Sequence, residues 1–203
     1  MTGYFIAFEG GEGVGKSTQE ALLADYLTQI GKTVIRTREP GGTSAAEQIR
    51  DTVLSREHEG MNPASEALLF AAARGDHVAR VIRPAISRGD VVICDRFIDS
   101  SIAYQGYARA LGPDRVRELS MWATGGLLPN LTIVLTLDPE VSMKRVIIPD
   151  RMEAEPMQYH RDVAAAFIEI SSLDPDRYLV VDATGTKEEI AEVIRQRVMQ
   201  ELN

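Results

Sequence analysis

Several kinds of residue and segment are scarce in this chain of 203 residues. The single cysteine, Cys94, excludes an intrachain disulfide and is typical of a protein in a reducing compartment. Because Cys94 ends the apolar run 91–94, we expect a small buried side chain rather than a reactive thiol. The sequence has no apolar run of membrane-spanning length and no signal peptide, which predicts a cytoplasmic protein without a membrane partner.

Basic residues are also in deficit. The chain has 22 Lys and Arg against 30 Asp and Glu, a net charge of -8 at pH 7. A general nucleic-acid-binding protein normally carries a basic face, so this balance predicts no nucleic-acid partner. We expect the arginines and lysines to be concentrated instead where phosphate groups bind. The length and the 44% hydrophobic content suit a single domain over 1–203.

Short apolar runs alternate with helical patterns along the chain. The runs are nearly continuous in apolar residues, which is typical of strands covered on both faces. The alternation therefore predicts an α/β fold in three layers, a five-stranded parallel sheet flanked by helices on both faces. The candidate strands are 4–9, 33–37, 91–95, 131–137 and 178–182.

Local signals place several helices between these strands. Capping boxes at Ser44-x-x-Glu47 and Thr186-x-x-Glu189 predict two helix starts. Residues 64–88 read as a long helix that Pro84 kinks or ends, and another helix is expected around 113–123. The polar stretch 145–162 carries charges of both signs, and we interpret it as a mobile flap.

The segment Gly10–Ser17 carries the most specific chemistry. It matches G-x-x-x-x-G-K-[ST], a loop whose inward-facing N–H groups bind the phosphates of a nucleoside triphosphate. In this pattern Lys16 reaches the β- and γ-phosphates, and the Ser17 hydroxyl is a ligand for Mg²⁺. An apolar run precedes the loop and a helical pattern follows it, which is the context that the motif requires.

Three further segments follow the same logic with alternatives open. Asp95 ends a strand where a carboxylate can hold Mg²⁺, and the adjacent Arg96 suits a phosphate, although a structural Asp–Arg pair has the same sequence. Asp138 and Asp182 also end strands, so position alone does not choose among these carboxylates.

The segment Arg36–Thr43 carries two arginines beside a pair of glycines. Both a phosphate site and a turn with solvated arginines have this composition. Phe70 and Arg74 share a helical face, either to bind a nucleobase or with Phe70 in the core.

These motifs together resemble the bacterial thymidylate (dTMP) kinases, a family of P-loop nucleoside monophosphate kinases, and the similarity runs essentially end to end. The motifs that carry it are Phe8-Glu9-Gly10, Arg38–Thr43, Phe70 with Arg74, Asp95-Arg96-Phe97, Asp99–Gly106 and Asp150-Arg151-x-Glu153. The resemblance implies the P-loop kinase fold with a short lid, ATP and dTMP as substrates, Mg²⁺ as cofactor, and a homodimer. The helix 64–88 is our candidate interface.

The resemblance also implies roles for individual residues. Arg38 and Arg96 hold the acceptor phosphate, Phe70 stacks on thymine, Arg74 binds its exocyclic oxygen, and Ser101 and Gln105 line the base and sugar pocket. Tyr104 lies where a ribose 2′-hydroxyl would fall, unless it is a core tyrosine with a satisfied hydroxyl. Arg151, with Arg145 assisting, belongs to the lid over ATP. Lys16, Arg96 and Arg151 are the expected catalytic residues, Ser17 and Asp95 the expected metal ligands, and Glu9 an expected substrate-binding residue. The expected ATP-binding residues are Gly10, Gly11, Glu12, Gly13, Val14, Gly15, Lys16, Ser17, Thr18 and Arg145.

Two departures from the family pattern affect these roles. Ala73 and Gly75-Asp76 flank Arg74 where many relatives carry an acidic residue and a less flexible pair, and Ile147-Ile148-Pro149 replaces a more basic lid approach. The nearest rival function is another nucleoside monophosphate or deoxynucleoside kinase. A nucleotide-dependent switch or assembly ATPase is disfavoured because neither N-K-x-D nor L-S-G-G-Q occurs. A dehydrogenase fails on spacing, since G-x-G-x-x-G from Gly13 would need glycine at Thr18.

Overall fold

A computed structural model describes residues 3–202, which form an α/β fold around one sheet. All strand pairs are parallel, and the strand order is β2-β3-β1-β4-β5. Asp95 lies in register with both Arg38 and Phe8, so the carboxyl ends of the first three strands share one edge. The strands are β1 (Tyr4–Glu9), β2 (Val34–Arg38), β3 (Val91–Asp95), β4 (Leu131–Thr136) and β5 (Tyr178–Asp182).

Nine α-helical segments lie within the described residues. They are α1 (Lys16–Gln29), α2 (Ser44–Leu54), α3 (Pro63–His77), α4 (Arg83–Arg88), α5 (Ile98–Ser101), α6 (Pro113–Thr124), α7 (Pro139–Ser142), α8 (Met157–Ser172) and α9 (Lys187–Leu202). Single 3₁₀ turns occupy Arg56–His58 and Met143–Arg145, and π-helical turns occupy Val78–Ile82 and Ile102–Ala108.

Alternate residues of the strands enter cores on opposite faces of the sheet. In β1, Ile6 and Phe8 pack with α1 and α9, whereas Phe5 and Ala7 pack with α4 and the turn that precedes it. A third cluster lies between α8 and Ile102–Ala108. This period of two along strands buried on both faces is the reason for the nearly continuous apolar runs. The predicted three-layer fold is confirmed; β2 and β4 differ from the predicted ranges by one residue at their ends.

The predicted helix over 64–88 is helical throughout, but its hydrogen-bond pattern changes part of the way along. A π-helical turn separates α3 from α4, and the Arg83 N–H bonds to the Val78 carbonyl, five residues back. Pro84 has no N–H to donate and so cannot make the i to i−4 hydrogen bond of an α-helix. The change to a five-residue hydrogen bond occurs at the residue just before it. The proline therefore marks a widened turn rather than a helix end.

One of the two predicted capping boxes is displaced. The Thr186 box forms as predicted, with Thr186 N donating to Glu189 Oε2 at 2.8 Å and Glu189 N to Thr186 Oγ1 at 3.3 Å. At α2, however, Thr43 is the N-cap, and its Oγ1 accepts from Ala46 N at 3.1 Å. Glu47 instead accepts from Gly42 N at 2.9 Å. Thr43 and Ser44 are adjacent hydroxyl residues, so the sequence alone does not decide which of them caps α2.

The predicted flap over 145–162 is too long. Only 146–156 is irregular, and its C-terminal part already belongs to α8. Tyr159, Val163 and Phe167 are buried at helical spacing, which fixes this part against the sheet. We call 146–156 the lid segment. Within residues 3–202, no helix combines the length and the apolar character needed to cross a membrane.

The packing of α1 on the sheet predicts a clear difference between two leucines. Leu27 is fully buried, whereas Leu173, at the end of α8, is 69% exposed. We expect Leu27→Ala to lower the free energy of unfolding by about 2–5 kcal/mol, because it leaves a cavity. Leu173→Ala should stay within about 0.5 kcal/mol of the parent. Urea unfolding measures both, and similar losses would contradict this description of the core.

Candidate active site

The phosphate loop lies between β1 and α1, and its shape depends on glycine at two places. Gly10 has φ 131°, and a Cβ there would lie 2.3 Å from the Leu135 carbonyl oxygen. Gly13 has φ 67°, and its Cβ would lie 2.2 Å from the Ser142 carbonyl oxygen. Both the backbone angle and the space exclude a larger residue, so the loop conformation is encoded in these positions.

Lys16 lies inside this loop and is held by its backbone. The ammonium donates to the Gly11 carbonyl at 2.8 Å and to the Gly10 carbonyl at 3.3 Å. Burial, together with the nearby charge of Arg96, lowers the pKa of Lys16. These carbonyls keep the cation within the concavity where the loop would receive phosphate groups.

A cleft of about 610 Å³ opens from this loop along the carboxyl edge of the sheet. It brings together most residues that the sequence singled out, from five separate segments of the chain. The predicted residues that line it are Glu12, Gly13, Gly15, Lys16, Ser17, Thr18, Arg38, Phe70, Arg74, Asp95, Arg96, Ser101, Tyr104, Gln105 and Arg145. Glu9, Gly10, Gly11, Val14 and Arg151 are not among its lining residues.

Arg96 connects the two sides of the cleft. Its backbone is left-handed, with φ 65°, which is uncommon for a residue with a side chain. Its Nη1 donates to the Gly10 carbonyl and to Ser100 Oγ, both at 3.0 Å, and its Nη2 pairs with Glu12 Oε1 at 2.6 Å. The guanidinium is therefore fixed next to the phosphate loop while it still faces the cleft.

Glu12 was expected only as an ATP-loop residue, and the structure gives it more contacts. Besides the ion pair with Arg96, its Oε1 accepts from the Tyr104 hydroxyl at 2.8 Å. Burial opposes ionisation, but Arg96 and Lys16 prevail and lower the pKa of Glu12 to about 2. The Tyr104 ring packs edge-on against Tyr159 and Phe167. Tyr104 thus lines the cleft and is also a packed tyrosine with a satisfied hydroxyl.

Two arginines lie across the cleft from the loop. Arg38, at the end of β2, pairs with Glu47 at 2.9 Å, and its side chain remains half exposed. Arg50 of α2 was not predicted; it lines the same wall and donates to the Pro40 carbonyl at 2.9 Å. Burial and the charge of Arg38 lower the pKa of Arg50. Nothing in the local sequence around Arg50 distinguishes it from a solvated helix arginine.

Phe70 and Arg74 both reach the cleft from α3. Phe70 is half-buried, so its ring is neither a core residue nor fully exposed. Arg74 is buried, and its fork donates to Ser120 Oγ at 3.1 Å, to the Phe97 carbonyl at 3.1 Å and to Ser101 Oγ at 3.0 Å. Such a guanidinium has one fixed orientation.

Glu39 and His77 are functional candidates that the sequence did not suggest. Glu39 Oε2 accepts from Arg74 Nε at 2.7 Å, and Glu39 Oε1 lies 3.0 Å from His77 Nδ1. All three side chains are buried. The signal was present, because Glu39 directly follows Arg38 and His77 lies three residues, about one helical turn, after Arg74.

The residues predicted to hold a metal fit Mg²⁺ by their chemistry. Ser17 is exposed at the start of α1 and lines the cleft with Asp95. Asp95 Oδ1 and Glu20 Oε1 are buried carboxylate oxygens without a hydrogen-bond partner among the described residues. Burial and the proximity of Asp95 raise the pKa of Glu20 to about 7. A hard divalent cation prefers such oxygen ligands and would relieve their mutual repulsion.

The two predicted lid arginines make different contacts. Arg145 Nη1 donates to the Gly13 carbonyl at 2.9 Å, directly on the phosphate loop. Arg151 is buried away from it: its Nη1 pairs with Glu66 at 2.7 Å, and its Nε donates to the Val53 carbonyl at 2.7 Å. The expectation that Arg151 reaches over the ATP phosphates therefore disagrees with this geometry, because a buried carboxylate holds its charge elsewhere.

Glu9 also differs from its expected place in the substrate pocket. It is fully buried, with Oε1 accepting from Phe97 N at 2.8 Å and Ser100 N at 3.1 Å, and Oε2 from Ser100 Oγ at 2.5 Å. Burial and the nearby Asp99 raise its pKa to about 8. Its contacts hold the segment that carries Arg96 rather than a ligand.

The remaining strand-end carboxylates have local structural roles. Asp138 is the N-cap of α7 and accepts from Glu140 N at 2.8 Å, and Asp182 accepts from Thr184 N at 2.9 Å. Cys94 is fully buried, as expected, and its thiol donates to the Arg96 carbonyl at 3.1 Å. Asp95 is therefore the strand-end carboxylate that faces the cleft.

Comparisons with known proteins identify the family of the chain. The family profile described as thymidylate kinase matches residues 8–194. A thymidylate kinase of Leifsonia xyli is 52% identical over 200 residues, covering 97% of this chain and 94% of the relative. One of Cutibacterium acnes is 44% identical over 203 residues, covering 100% of both chains.

A solved structure agrees with the fold. The crystal structure of thymidylate kinase from Ehrlichia chaffeensis has a TM-score of 0.83 at 31% identity, covering 98% of this chain and 100% of that one. With the family profile and the curated relatives, this shows that the chain belongs to the thymidylate kinase family.

Proposed function

We propose that this chain transfers the γ-phosphoryl group of ATP to dTMP, giving dTDP and ADP in dTTP biosynthesis. The supporting observation is a phosphate loop that shares one cleft with Arg96, which lies next to the loop, and with Arg38, which lies across from it. Phosphoryl transfer asks the protein for alignment and charge neutralisation rather than covalent chemistry. The acceptor oxygen of a monophosphate is already anionic, so no strong general base is needed.

Each side of the cleft has its own task. The loop Gly10–Thr18 binds the ATP phosphates, and Lys16 and Arg145 neutralise charge on the transferring group. Arg38 and Arg96 align the dTMP phosphate in line with it. Arg151, which is paired with Glu66, anchors the lid segment instead of acting on ATP.

The base and the sugar occupy the inner part of the cleft. Phe70 stacks on thymine, Arg74 donates to its exocyclic oxygen, and Ser101 and Gln105 line the same pocket. Tyr104 packs beside the sugar and rejects a ribose 2′-hydroxyl by its bulk. Glu9 positions the segment of Arg96 from beneath the pocket.

Ser17 and Asp95 would hold Mg²⁺, and this fit rests on Asp95 Oδ1, which has no hydrogen-bond partner among the described residues. The ion neutralises charge on the β- and γ-phosphate oxygens when it is bound. Closure of the lid segment excludes water and limits hydrolysis of ATP.

The chain functions as a cytoplasmic homodimer. Leu68 of α3 is 58% exposed and Trp122 of α6 is 83% exposed, and these two helices pack against each other. Large apolar side chains on adjacent helices support an interface there, including part of the helix 64–88. The single buried thiol suits a reducing cytoplasm.

A coupled assay with ATP, Mg²⁺ and a panel of monophosphates tests the proposed reaction. We expect kcat/KM for dTMP to exceed the values for dCMP, dAMP and dGMP by at least about a hundredfold, because mismatched hydrogen-bonding groups are strongly rejected. A purine nucleotide as the best substrate would contradict the proposal.

Lys16→Ala provides the blank for this assay. Turnover of this variant should fall by about a thousandfold or more, since the charge of Lys16 acts on the transferring phosphoryl group. Circular dichroism verifies that the variant is folded, and a folded variant with normal turnover would remove Lys16 from the mechanism.

Arg96→Ala should damage the use of dTMP more than that of ATP. A charge-assisted fork to phosphate contributes more than a neutral hydrogen bond, so we expect KM for dTMP to rise about tenfold or more. KM for ATP should change less than about threefold. The matched control is Arg36→Ala in the middle of β2. Arg36 pairs with Glu20 and does not line the cleft, so this change should leave KM for dTMP near normal. Equal losses for both substrates would reassign Arg96 to the donor side or to structure.

The two lid arginines predict different kinetic effects. Arg145→Ala should lower kcat about tenfold or more with little change in ATP binding, because a cation on the loop matters most where charge develops. Lys144→Ala, the neighbouring exposed cation, is the control and should leave kcat near normal. Arg151→Ala should instead lower the melting temperature, since it leaves Glu66 short of a buried partner. A large loss of kcat in a stable Arg151 variant would contradict our assignment.

A further inference from the structure

Glu66 is a buried carboxylate that joins three separate parts of the chain. It lies on α3 and is fully buried. Its Oε1 accepts from Gln105 Nε2 at 2.9 Å, and its Oε2 pairs with Arg151 Nη1 at 2.7 Å. Arg109 Nη2 lies 3.4 Å from the same Oε2. Gln105 lines the cleft, whereas Glu66 itself does not, so Glu66 contacts a cleft residue from behind.

The chemistry of this contact fixes the orientation of the Gln105 amide. A glutamine side chain has one end that only donates and one that only accepts, and a carboxylate paired with two guanidinium groups only accepts. Gln105 must therefore turn its NH₂ group towards Glu66. Among the described residues no donor engages Gln105 Oε1, which leaves this carbonyl oxygen for a ligand in the cleft.

Arg74 offers the opposite polarity in the same pocket. Its guanidinium only donates, and its Nε pairs with Glu39 Oε2 at 2.7 Å, which holds it in place, although Glu39, unlike Glu66, also lines the cleft. Two buried carboxylates thus give the base pocket one donor and one acceptor. A 4-oxo pyrimidine matches this pattern, because O4 accepts and the N3–H donates. Cytosine has the reverse pattern, with an amino donor at position 4 and an acceptor at N3.

We propose that Glu66 is a positioning residue that sets the hydrogen-bond polarity of the base pocket and so excludes cytosine nucleotides. This rests on the proposed function in one respect, that Gln105 faces the base. The pocket would discriminate between the two bases because the N3 atom of cytosine would face the Gln105 carbonyl oxygen. Both atoms are acceptors, so no hydrogen bond can form between them. The amide cannot turn to relieve this, because its oxygen would then face Glu66 Oε1, another acceptor.

The test compares kcat/KM for dCMP and dTMP, both with ATP, in the parent and in Glu66→Gln. A glutamine at this position can donate or accept, so the Gln105 amide is free to present either end. We expect the ratio of dCMP to dTMP efficiency to rise about tenfold, the size of one hydrogen bond gained and one lost. A general loss of activity leaves this ratio unchanged, so the readout separates orientation from simple damage.

Glu155→Gln is the matched control. Glu155 pairs with Arg109 at 2.6 Å, so this change removes one negative charge from the same network without a contact to Gln105. Its dCMP to dTMP ratio should equal that of the parent. Should Glu66→Gln not fold, Glu66→Asp keeps the charge but withdraws the oxygen from Gln105, and the ratio should again rise. Calorimetric titration of the two monophosphates replaces kinetics for any variant too slow to assay.

Two outcomes overturn the inference, and they are distinguishable from failure of the proposed function. A folded Glu66→Gln or Glu66→Asp protein with the parental ratio would show that Glu66 only supports packing. A parental ratio in Gln105→Leu would show that Gln105 does not read the base. By contrast, a parent protein that does not phosphorylate dTMP would contradict the proposed function itself.

Discussion

The ion pair between Arg96 and Glu12 is the contact on which the geometry of the cleft depends. It ties the end of β3 to the loop after β1, and it does so with a backbone in the left-handed region. That conformation is unfavourable for arginine by itself, so the hydrogen bonds of its side chain and backbone must stabilise it. The backbone contributes through the Arg96 N–H, which donates to the Phe8 carbonyl at 2.9 Å. The ion pair and these hydrogen bonds together therefore set the distance between Arg96 and the phosphate loop.

Buried carboxylates solve a general problem of this site. Two phosphorylated substrates require several cations in one cleft, and these cations repel each other before any ligand arrives. Within the cleft, Glu12 faces Arg96 and Glu39 faces Arg74, both across less than 3 Å. Burial of such pairs is costly, but the fixed geometry removes the reorganisation that mobile arginines would need when charge develops. An acidic chain can therefore bind anions, because each of these acids is already paired with a cation of the cleft.

The predictable part of this protein is the part encoded locally. The strands, the loop Gly10–Ser17 and the cap at Thr186 are determined by neighbours in sequence, and their expected positions agree with the structure within a residue. Arg151 and Glu9 could not be placed in this way. Arg151 is 85 positions from Glu66, and Glu9 is 91 positions from Ser100, so only the folded chain reveals which charge neutralises which. For the same reason Arg50 escaped notice, since its role depends on the wall that α2 and α3 form together.

The lid segment 146–156 is held unequally, and this determines which part of it can respond to a ligand. Arg151 and Met152 are almost fully buried, and the Arg151 N–H also donates to the Leu54 carbonyl at 3.1 Å. In contrast, Ile147 and Ile148 are 91% and 87% exposed at the mouth of the cleft. Local opening costs least where few contacts are buried, so we expect motion to concentrate at Ile147 and Ile148 while the part of the lid segment around Arg151 stays fixed. Arg151 pairs with Glu66, and Glu66 is also the carboxylate that we propose orients Gln105. The same side chain therefore limits how far the lid segment can move away from the pocket for the nucleobase.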